Sequence, residues 1–344
     1  MALKGTGYKK AAKKSVWLHP DKAAQTDFFV FLKWGGEMGS YILELSENSR
    51  HVHCSRGFVI VCEGDTEIGR MPIDCLVAAI ISAEGATLAK SFFVRLGEAN
   101  IPIIICGKDY MPLSIAAPIA AHHRHTAIAK QQTQCPPVLY KQLWKCIVQA
   151  KIHNQIATLA AYRPEQQAVR EKMRLLQRKV KSGDTDNHEA HAARLYWPAL
   201  MGKGFVRRPD LEGSNSLFNY AYAIVRSCVA RAVCAAGLLP MFGVHHRNTL
   251  NAFCLVDDLM EPLRPVADAF VVQHLEATEF AATLDTPAKK HLSTILAHKL
   301  DCTHGATAFI AATNTVAQSF VDCILAKESA LSLPLLQQPA VAEC

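Results

Sequence analysis

Residues 243–268 read GVHHRNTLNAFCLVDDLMEPLRPVAD. Two histidines precede two aspartates and a glutamate in a stretch otherwise made of Leu, Val, Met and Phe. Imidazoles and carboxylates in that number can hold a divalent cation or move protons. At about 100° per residue, Leu255, Val256, Leu259, Met260 and Leu263 share one arc of a helix, and Asp257, Asp258 and Glu261 share the opposite arc. Asp258 and Glu261 are i,i+3 and Asp257 and Glu261 are i,i+4, so both pairs are neighbours. Like charges at that spacing repel unless a cation or a proton sits between them. The segment is therefore either a buried site that uses its charge or a helix with one wet face. His246 precedes Glu261 by fifteen residues, about 22 Å along a continuous helix. It can join the carboxylates only if the chain between them folds back, and RNTLNAF supplies Asn and Thr residues that favour such a turn.

A second carboxylate lies upstream. In DNHEAHAARLYWPAL, Glu189 stands near a helix start among Ala192, Ala193 and Tyr196. A charge on that small apolar face is costly unless it is paired or bound. The alternative is a capping role, with Asp186 three residues before it. His188 and His191 are three apart, so the zinc-protease H-E-x-x-H spacing is not met. Cations cluster just ahead of Glu189. VREKMRLLQRKVKSGD carries Arg170, Lys172, Arg174, Arg178, Lys179 and Lys181, with Glu171 and Asp184 as its only acids. Such a helix is a solvated face or a phosphate-contacting one. GKGFVRRPD adds Lys203, Arg207 and Arg208, and Arg247 follows His246 directly. Arg264, three residues after Glu261, reads as a phosphate contact or as a partner for Asp257 or Asp268. HHRH at residues 122–125 has ligand-type side chains but reads better as a surface helix start.

The rest of the chain must position these groups. Its 344 residues suit roughly two domains. Half are hydrophobic and mean hydropathy is +0.09, enough for a sizeable core. Thirty-seven Lys and Arg against 30 Asp and Glu give +7, a balance that permits an anionic partner. No apolar run approaches the roughly 20 residues of a membrane span. The basic start, MALKGTGYKKAAKKSVWLHP, lacks the apolar core of a signal peptide. The twelve cysteines form no C-x-x-C pair, which argues against a zinc ribbon and reads as reduced thiols of a cytoplasmic protein with no membrane partner.

Between residues 27 and 106, FFVFLKW, SYILEL, GFVIVCEG, CLVAAIIS and IPIIIC read as strands separated by turns. TLAKSFFVRLGEAN reads as a helix with Thr87 as N-cap and Leu88, Phe92 and Leu96 on one face. From about residue 122 to 327 the segments are long, rich in Ala and Leu, and helical in period. The expected fold is α+β: an N-terminal β-sheet or sandwich domain over residues 1–112, of which 1–25 is a basic extension, then a larger all-α catalytic domain over 113–330, then a tail over 331–344. No GxGxxG, P-loop or G-x-S-x-G is present.

In the helical half, E-x-x-A-A-R-x-Y-W begins at Glu189 and N-x-L-x-N-Y-x-Y at Asn215. G-x-x-H ends at His246, and D-L-M-E-P-x-R-P begins at Asp258. In that order these motifs resemble the CRISPR-associated integrase of spacer acquisition (Cas protein one). QLWKCIVQAKIHNQ and LEGSNSLFNYAYAI are most similar to its type II branch. The resemblance spans roughly residues 51–322 and is specific in the helical half, whereas the β half matches mainly in pattern.

The resemblance implies a β domain that mediates homodimerisation and a helical domain that holds Mg2+ or Mn2+. Carried over, the catalytic metal ligands are Glu189, His246 and Glu261. His246 is preferred to His245 because the family spacing to the glutamate is fifteen, and Asp258 is an auxiliary acid. Asn215, Asn219, Tyr220 and Tyr222 divide between packing and lining the site. The implied reaction is attack by the 3′-hydroxyl of a captured DNA fragment on a phosphodiester at the edge of a CRISPR repeat. The implied partners are double-stranded DNA, a second copy of the chain, a small second adaptation protein (Cas protein two) bridging two dimers, and other type II CRISPR proteins. A stand-alone metal-dependent nuclease or resolvase uses the same residues. A non-catalytic nucleic-acid scaffold is expected to have lost one of Glu189, His246 and Glu261, and none is lost.

Overall fold

The computed structural model describes residues 29–32, 40–107, 112–116, 124–303 and 305–337. The basic extension, His122 and His123 lie outside the described residues. Among the described residues the N-terminal part holds nine strands: β1 (Phe29–Leu32), β2 (Ser40–Leu45), β3 (Arg50–Ser55), β4 (Phe58–Glu63), β5 (Thr66–Pro72), β6 (Leu76–Ile81), β7 (Thr87–Leu88), β8 (Ile103–Cys106) and β9 (Pro112–Ala116), with helix α1 (Lys90–Glu98) between β7 and β8. They form a five-stranded sheet, β1-β2-β6-β8-β9, and a four-stranded sheet, β5-β4-β3-β7. The central strands of the larger sheet, β2, β6 and β8, are parallel.

Parallel strands covered on both faces read as continuous apolar runs, and SYILEL, LVAAII and IIIC are of that kind. Their side chains divide by the two-residue period of a strand. Tyr41, Leu43, Leu45, Ala79, Ile81 and Ile103 enter a core with β3, β4, Phe92 and Leu96 of α1. Ile42, Ala78, Ile80 and Ile104 enter the core of the helical part instead. The two halves of the chain thus meet across one face of the larger sheet.

The helical part contains α2 (His125–Thr133), α3 (Pro137–Tyr162), α4 (Gln167–Lys179), α5 (His188–Met201), α6 (Ser214–Ala235), α7 (Cys254–Met260), α8 (Arg264–Ala277), α9 (Thr286–Ser293) and α10 (Phe309–Ala326). A single 3-10 turn, Glu261–Leu263, joins α7 to α8. Helix α3 is the longest at 26 residues, and most of its inward side chains, from Leu139 to Leu159, are buried. Helix α10 is long and apolar enough to cross a membrane by length and composition, yet half of it is buried inside the protein. The eleven cysteines among the described residues are free thiols.

Several sequence expectations need correction. Thr87 does not cap α1. It pairs in β7 with His51 of β3, and its hydroxyl lies 2.9 Å from His51 Nδ1, while the helix starts at Lys90 behind Ala89. Strands β3, β5, β7 and β9 were not legible as apolar runs, because RHVHCS alternates polar and apolar residues and TEIGRMP contains Gly and Pro. Strand β9 runs to Ala116, past the boundary placed at residue 112. The second half is mostly helical, as expected, with one addition: β10 (Lys299–Cys302) and β11 (Gly305–Ala308) form an antiparallel hairpin. Residues 331–337 are no loose tail. Leu336 bridges to Cys302, and its amide donates to Asn154 Oδ1 of α3 at 2.8 Å.

Beside the shared sheet face, Tyr220 of α6 donates its hydroxyl to Glu44 Oε2 of β2 at 2.6 Å, and Lys289 Nζ of α9 lies 3.5 Å from Glu44 Oε1. Tyr220 and Glu44 are buried. Tyr220→Phe leaves a buried carboxylate oxygen short of a donor and is expected to destabilise the chain by about 1–3 kcal/mol. Urea unfolding measures this, and a loss below about 0.5 kcal/mol would show that the bond does not tie the sheet to the helices.

Candidate active site

The acidic arc of α7 is not wet. Leu255, Val256, Leu259, Met260 and Leu263 are buried as their arc requires, but Asp258 is 0% and Glu261 4% exposed. Asp257 pairs with Arg226 of α6, Nε to Oδ1 at 2.7 Å and Nη2 to Oδ2 at 2.9 Å. Each acid has its own cationic or amide partners, which removes the repulsion that spacing alone would create.

Asp258 organises the approach of His246. One carboxylate accepts the backbone amides of Val244 (2.5 Å), His245 (2.9 Å) and His246 (3.3 Å) and lies 2.5 Å from His246 Nδ1. The chain folds back through Asn248 and Asn251, whose side-chain oxygens accept the amides of Leu250 and Phe253 two residues on. Gly243 is needed for this closeness. A Cβ there would stand 2.5 Å from the His246 carbonyl oxygen and 2.7 Å from Asp258 Oδ2. The hydrogen bond that His246 makes to the Asp258 carboxylate raises the pKa of the imidazole. It also engages Nδ1 and leaves Nε2 as the ring nitrogen for a ligand. His245 lies flat on Trp144, ring centroids 4.3 Å apart.

Glu189 is set by a different device. Asn187 turns the chain left-handed at φ 54°, and the Asp184 carboxylate accepts the amides of His188 (2.9 Å) and Glu189 (3.0 Å). Asp184 thus satisfies the start of α5, whereas the expected capping residue, Asp186, pairs with Lys181 at 2.9 Å. Glu189 Oε1 lies 2.5 Å from Lys151 Nζ of α3. The same ammonium is 2.5 Å from Glu261 Oε2, and Arg264 Nε donates to Glu261 Oε1 at 2.9 Å. Arg264 is therefore the partner of Glu261, not of Asp257 or Asp268. Burial pushes the Glu261 carboxyl up, but Arg264 and then Lys151 outweigh it and hold the group ionised well below its ordinary range. Burial pushes the Lys151 ammonium down, and Glu261 and Glu189 more than restore it.

Lys151 belongs to a polar stripe on α3. Asn154 Nδ2 donates to the Pro262 carbonyl at 2.7 Å, and Thr158 Oγ1 to the Pro265 carbonyl at 3.1 Å. Prolines 262 and 265 interrupt the helical ladder where α7 turns into α8. The stripe bonds to backbone carbonyls at that interruption and fixes the turn that carries Glu261. Lys151, Asp184, Asn154 and Arg226 were missed in the sequence. The available signal was a lysine and an asparagine at i,i+3 inside the apolar run of AKIHNQIATLAA.

The structure joins Glu189 to Glu261 through Lys151, and His246 to Asp258. Among the described residues, no three His, Cys, Asp or Glu side chains are gathered closely enough to hold an ion as they stand. The donor set nevertheless fits a hard divalent cation: carboxylate oxygens, an imidazole, and a buried Glu261 Oε2 that already faces a cation, the Lys151 ammonium. Asp258 behind His246 is the carboxylate that orients a ligating histidine in metal sites.

The basic residues separate into two groups. Arg207 is internal: it donates to Asn215 Oδ1 (3.0 Å) and Asn219 Oδ1 (2.8 Å) and lies over Tyr222. Arg170 donates to the carbonyls of Arg163 and Pro164 at the end of α3. Arg174 pairs with Glu171, and Arg208 with Asp210. Lys172, Arg178, Lys179, Lys203 and Arg247 are exposed. A cavity of about 270 Å³ is lined by Arg207, Tyr222, Arg226, His246, Asp257 and Arg264 among others.

Asp268 of α8 lies under this cavity and accepts the hydroxyls of Tyr222 (2.6 Å) and Tyr196 (2.9 Å). Burial pushes its carboxyl up to about 6 despite these donors. The folded chain thus keeps a proton that the unfolded chain releases near pH 4. Stability from this group is full below about pH 4 and lost as pH rises to about 6, by about 3 kcal/mol. Asp268→Asn removes the titration. Relative to the wild type, its unfolding free energy should rise by up to about 3 kcal/mol between pH 4 and pH 7. A variant-to-wild-type difference independent of pH would contradict the assignment.

Comparison with known proteins agrees with this architecture. Residues 43–296 match the family described as CRISPR associated protein Cas1. The chain is 33% identical over 261 residues to the CRISPR-associated endonuclease Cas1 of Neisseria meningitidis serogroup C (strain 8013), covering 76% of this chain and 85% of that protein. Among solved structures it resembles a casposase bound to integration product, with TM-score 0.73, 16% identity and coverage of 88% of this chain and 96% of that one. It also resembles a chain of a Cas6-RT-Cas1–Cas2 complex, with TM-score 0.72, 17% identity and coverage of 89% of this chain but 37% of that longer one. At those identities the structural likeness establishes the fold. The family match across most of the chain, together with the Neisseria relative, establishes that the chain belongs to the Cas1 family.

Proposed function

We propose that Glu189, His246 and Glu261 form the metal-dependent centre at which this Cas1 protein acts as a CRISPR adaptation integrase and DNA endonuclease. The observation that carries the reading is the convergence of two carboxylates from α5 and the α7–α8 turn on one buried point, beside a histidine oriented by Asp258. The three residues would hold Mg2+ or Mn2+ through oxygen and one imidazole nitrogen. Bound there, the ion supplies Lewis acidity to a DNA phosphate and to the attacking hydroxyl. The chain's own residues do the rest. Asp258 fixes the His246 ring, Asp184 fixes the start of the Glu189 helix, and Asn154 and Thr158 fix the turn of Glu261. Arg264 and Arg226 bring positive charge to the cavity where a phosphate arrives.

Attack by a DNA 3′-hydroxyl gives strand transfer, and attack by water gives hydrolysis. The name endonuclease carried by the Neisseria relative favours keeping the hydrolytic reaction beside the integrase reading. The exposed cations Lys172, Arg178, Lys179, Lys203 and Arg247 are proposed to hold duplex DNA through its phosphates. The small second adaptation protein is proposed as partner, since a neighbour of the same fold is described in a Cas1–Cas2 assembly. Homodimerisation is assigned to the β part. Leu113 on its edge strand β9 is 74% exposed and Ile105 on β8 36% exposed, and an apolar strand edge needs covering. Light scattering at micromolar concentration should find a dimer, and a monomer there would refute the assignment.

Chemistry and binding separate by mutation. Glu261→Ala should lower strand transfer by at least ~10²-fold in an assay with Mn2+, a short duplex and a repeat-bearing plasmid. DNA affinity should hold or rise, because an acid has gone and the cations remain. Arg178→Ala with Lys179→Ala should do the reverse. Affinity should fall, and the slope of log K against log salt should shrink by up to about two, near 0.9 per lost phosphate contact. Full strand transfer by Glu261→Ala would move the chemistry elsewhere in the chain.

A further inference from the structure

Lys151 occupies the point where the two glutamates meet. Its Nζ is 2.5 Å from Glu189 Oε1 and 2.5 Å from Glu261 Oε2. The two oxygens are therefore within about 5 Å of each other, and a divalent ion with oxygen ligands at about 2.0–2.2 Å needs them only slightly closer. An ammonium and a divalent ion cannot both stand there. Their repulsion is strong in a site where the lysine, Glu189 and Glu261 side chains are 13%, 25% and 6% exposed.

The surrounding contacts decide which group gives way. Arg264 is bonded to Glu261 Oε1 and lies 4.7 Å over the Tyr222 ring, so it is held from two sides. The backbone of Glu189 is held by Asp184, and that of Glu261 by the α3 stripe. Lys151 has a four-carbon stem with free rotations. The contacts of its ammonium are those with Glu189 and Glu261, the same carboxylates that an ion would take. The ammonium is the group most easily released.

We propose that Lys151 is a built-in place-holder cation. It keeps Glu189 and Glu261 facing one another while no metal is bound, and it must be expelled before a divalent ion can bridge them, so it sets the threshold for metal entry. This deepens and rests on the reading of Glu189, His246 and Glu261 as metal ligands. Lys151 is thereby a positioning residue whose effect appears in metal affinity before any turnover. Its removal leaves two carboxylates facing each other with Arg264 on only one side, an arrangement that favours a cation.

The test is a Mn2+ titration of the full-length, metal-free protein without DNA, following free Mn2+ by electron paramagnetic resonance. Lys151→Met should bind Mn2+ at least ~10-fold more tightly than the wild type, and Glu261→Gln more weakly. A second measurement needs no variant. Acetic anhydride labelling of Lys151 in the wild type, read by mass spectrometry, should be slow without Mn2+ and faster with it. Equal or weaker Mn2+ binding by a folded Lys151→Met, with Glu261→Gln still impaired, overturns the place-holder and leaves the metal site standing. If Lys151→Met does not fold, labelling unchanged by bound Mn2+ overturns it. Mn2+ binding that none of the three proteins shows removes the metal-site reading and the place-holder together.

Discussion

Two glutamates cannot be buried face to face without positive charge between them, and much of the helical half is arranged around meeting that demand. Desolvating one ion costs several kcal/mol even after relaxation, so a like-charged pair inside a protein is untenable without counter-ions. Lys151 supplies one from the middle of α3, and Arg264 supplies another from the first turn of α8. Each must arrive with an accuracy of a few tenths of an ångström, which loops rarely give. The long helix α3 provides it: the side chains that follow Lys151 at helical spacing, Asn154 and Thr158, bond to the carbonyls of Pro262 and Pro265. One face of one helix thus places the counter-ion and also fixes the turn that presents the charge to be countered.

The same logic explains why the site is built from unlike devices. Asp258 spends its carboxylate on three backbone amides and an imidazole, so a buried acid becomes a fold organiser for the His246 loop. Asp184 does the equivalent for the start of α5. Both are acids at places where amides lack other partners, and both lie beside a proposed ligand and not in its place. Asp268, by contrast, is given two tyrosine hydroxyls and no adjacent ion pair, and its carboxyl is the one pushed up to about 6. The difference follows from what each carboxylate is offered: amides, guanidinium and ammonium groups stabilise the ion, and phenols compensate only part of its burial.

Legibility in the sequence follows the same division. Apolar runs bounded by turns gave away β1, β2, β4, β6 and β8; for β2, β6 and β8 the cause is that a strand covered on both faces needs no polar residues. Strands with one polar face, such as β3, and strands interrupted by Gly or Pro, such as β5, carry a weaker signal and were missed. The opening arc of Asp257, Asp258 and Glu261 was visible as charge without a stated use. Its partners Arg226, Lys151 and Arg264 come from three different helices, and no local spacing reveals a contact between α3 and α7. Family resemblance named Glu189, His246 and Glu261 but was silent on Lys151, whose only trace was a charge in a helix otherwise suited to a core.

The basic residues show why a count of charge says little about a binding surface. Arg170, Arg207 and Arg264 read in the sequence as phosphate contacts or as ambiguous, yet the fold engages them with carbonyls, asparagines, a tyrosine ring and a glutamate. Guanidinium is suited to such work, since its planar fork can satisfy several acceptors while its face rests on an aromatic ring. The lysines Lys172, Lys179 and Lys203 remain in solvent, where a compact, hydrated charge is cheap to hold and quick to exchange counterions. Charge that contacts no protein acceptor is the charge that remains available to an anionic partner. Among the residues proposed for that role, Lys172 and Lys179 lie on α4, Lys203 on the loop between α5 and α6, and Arg247 on the loop before α7.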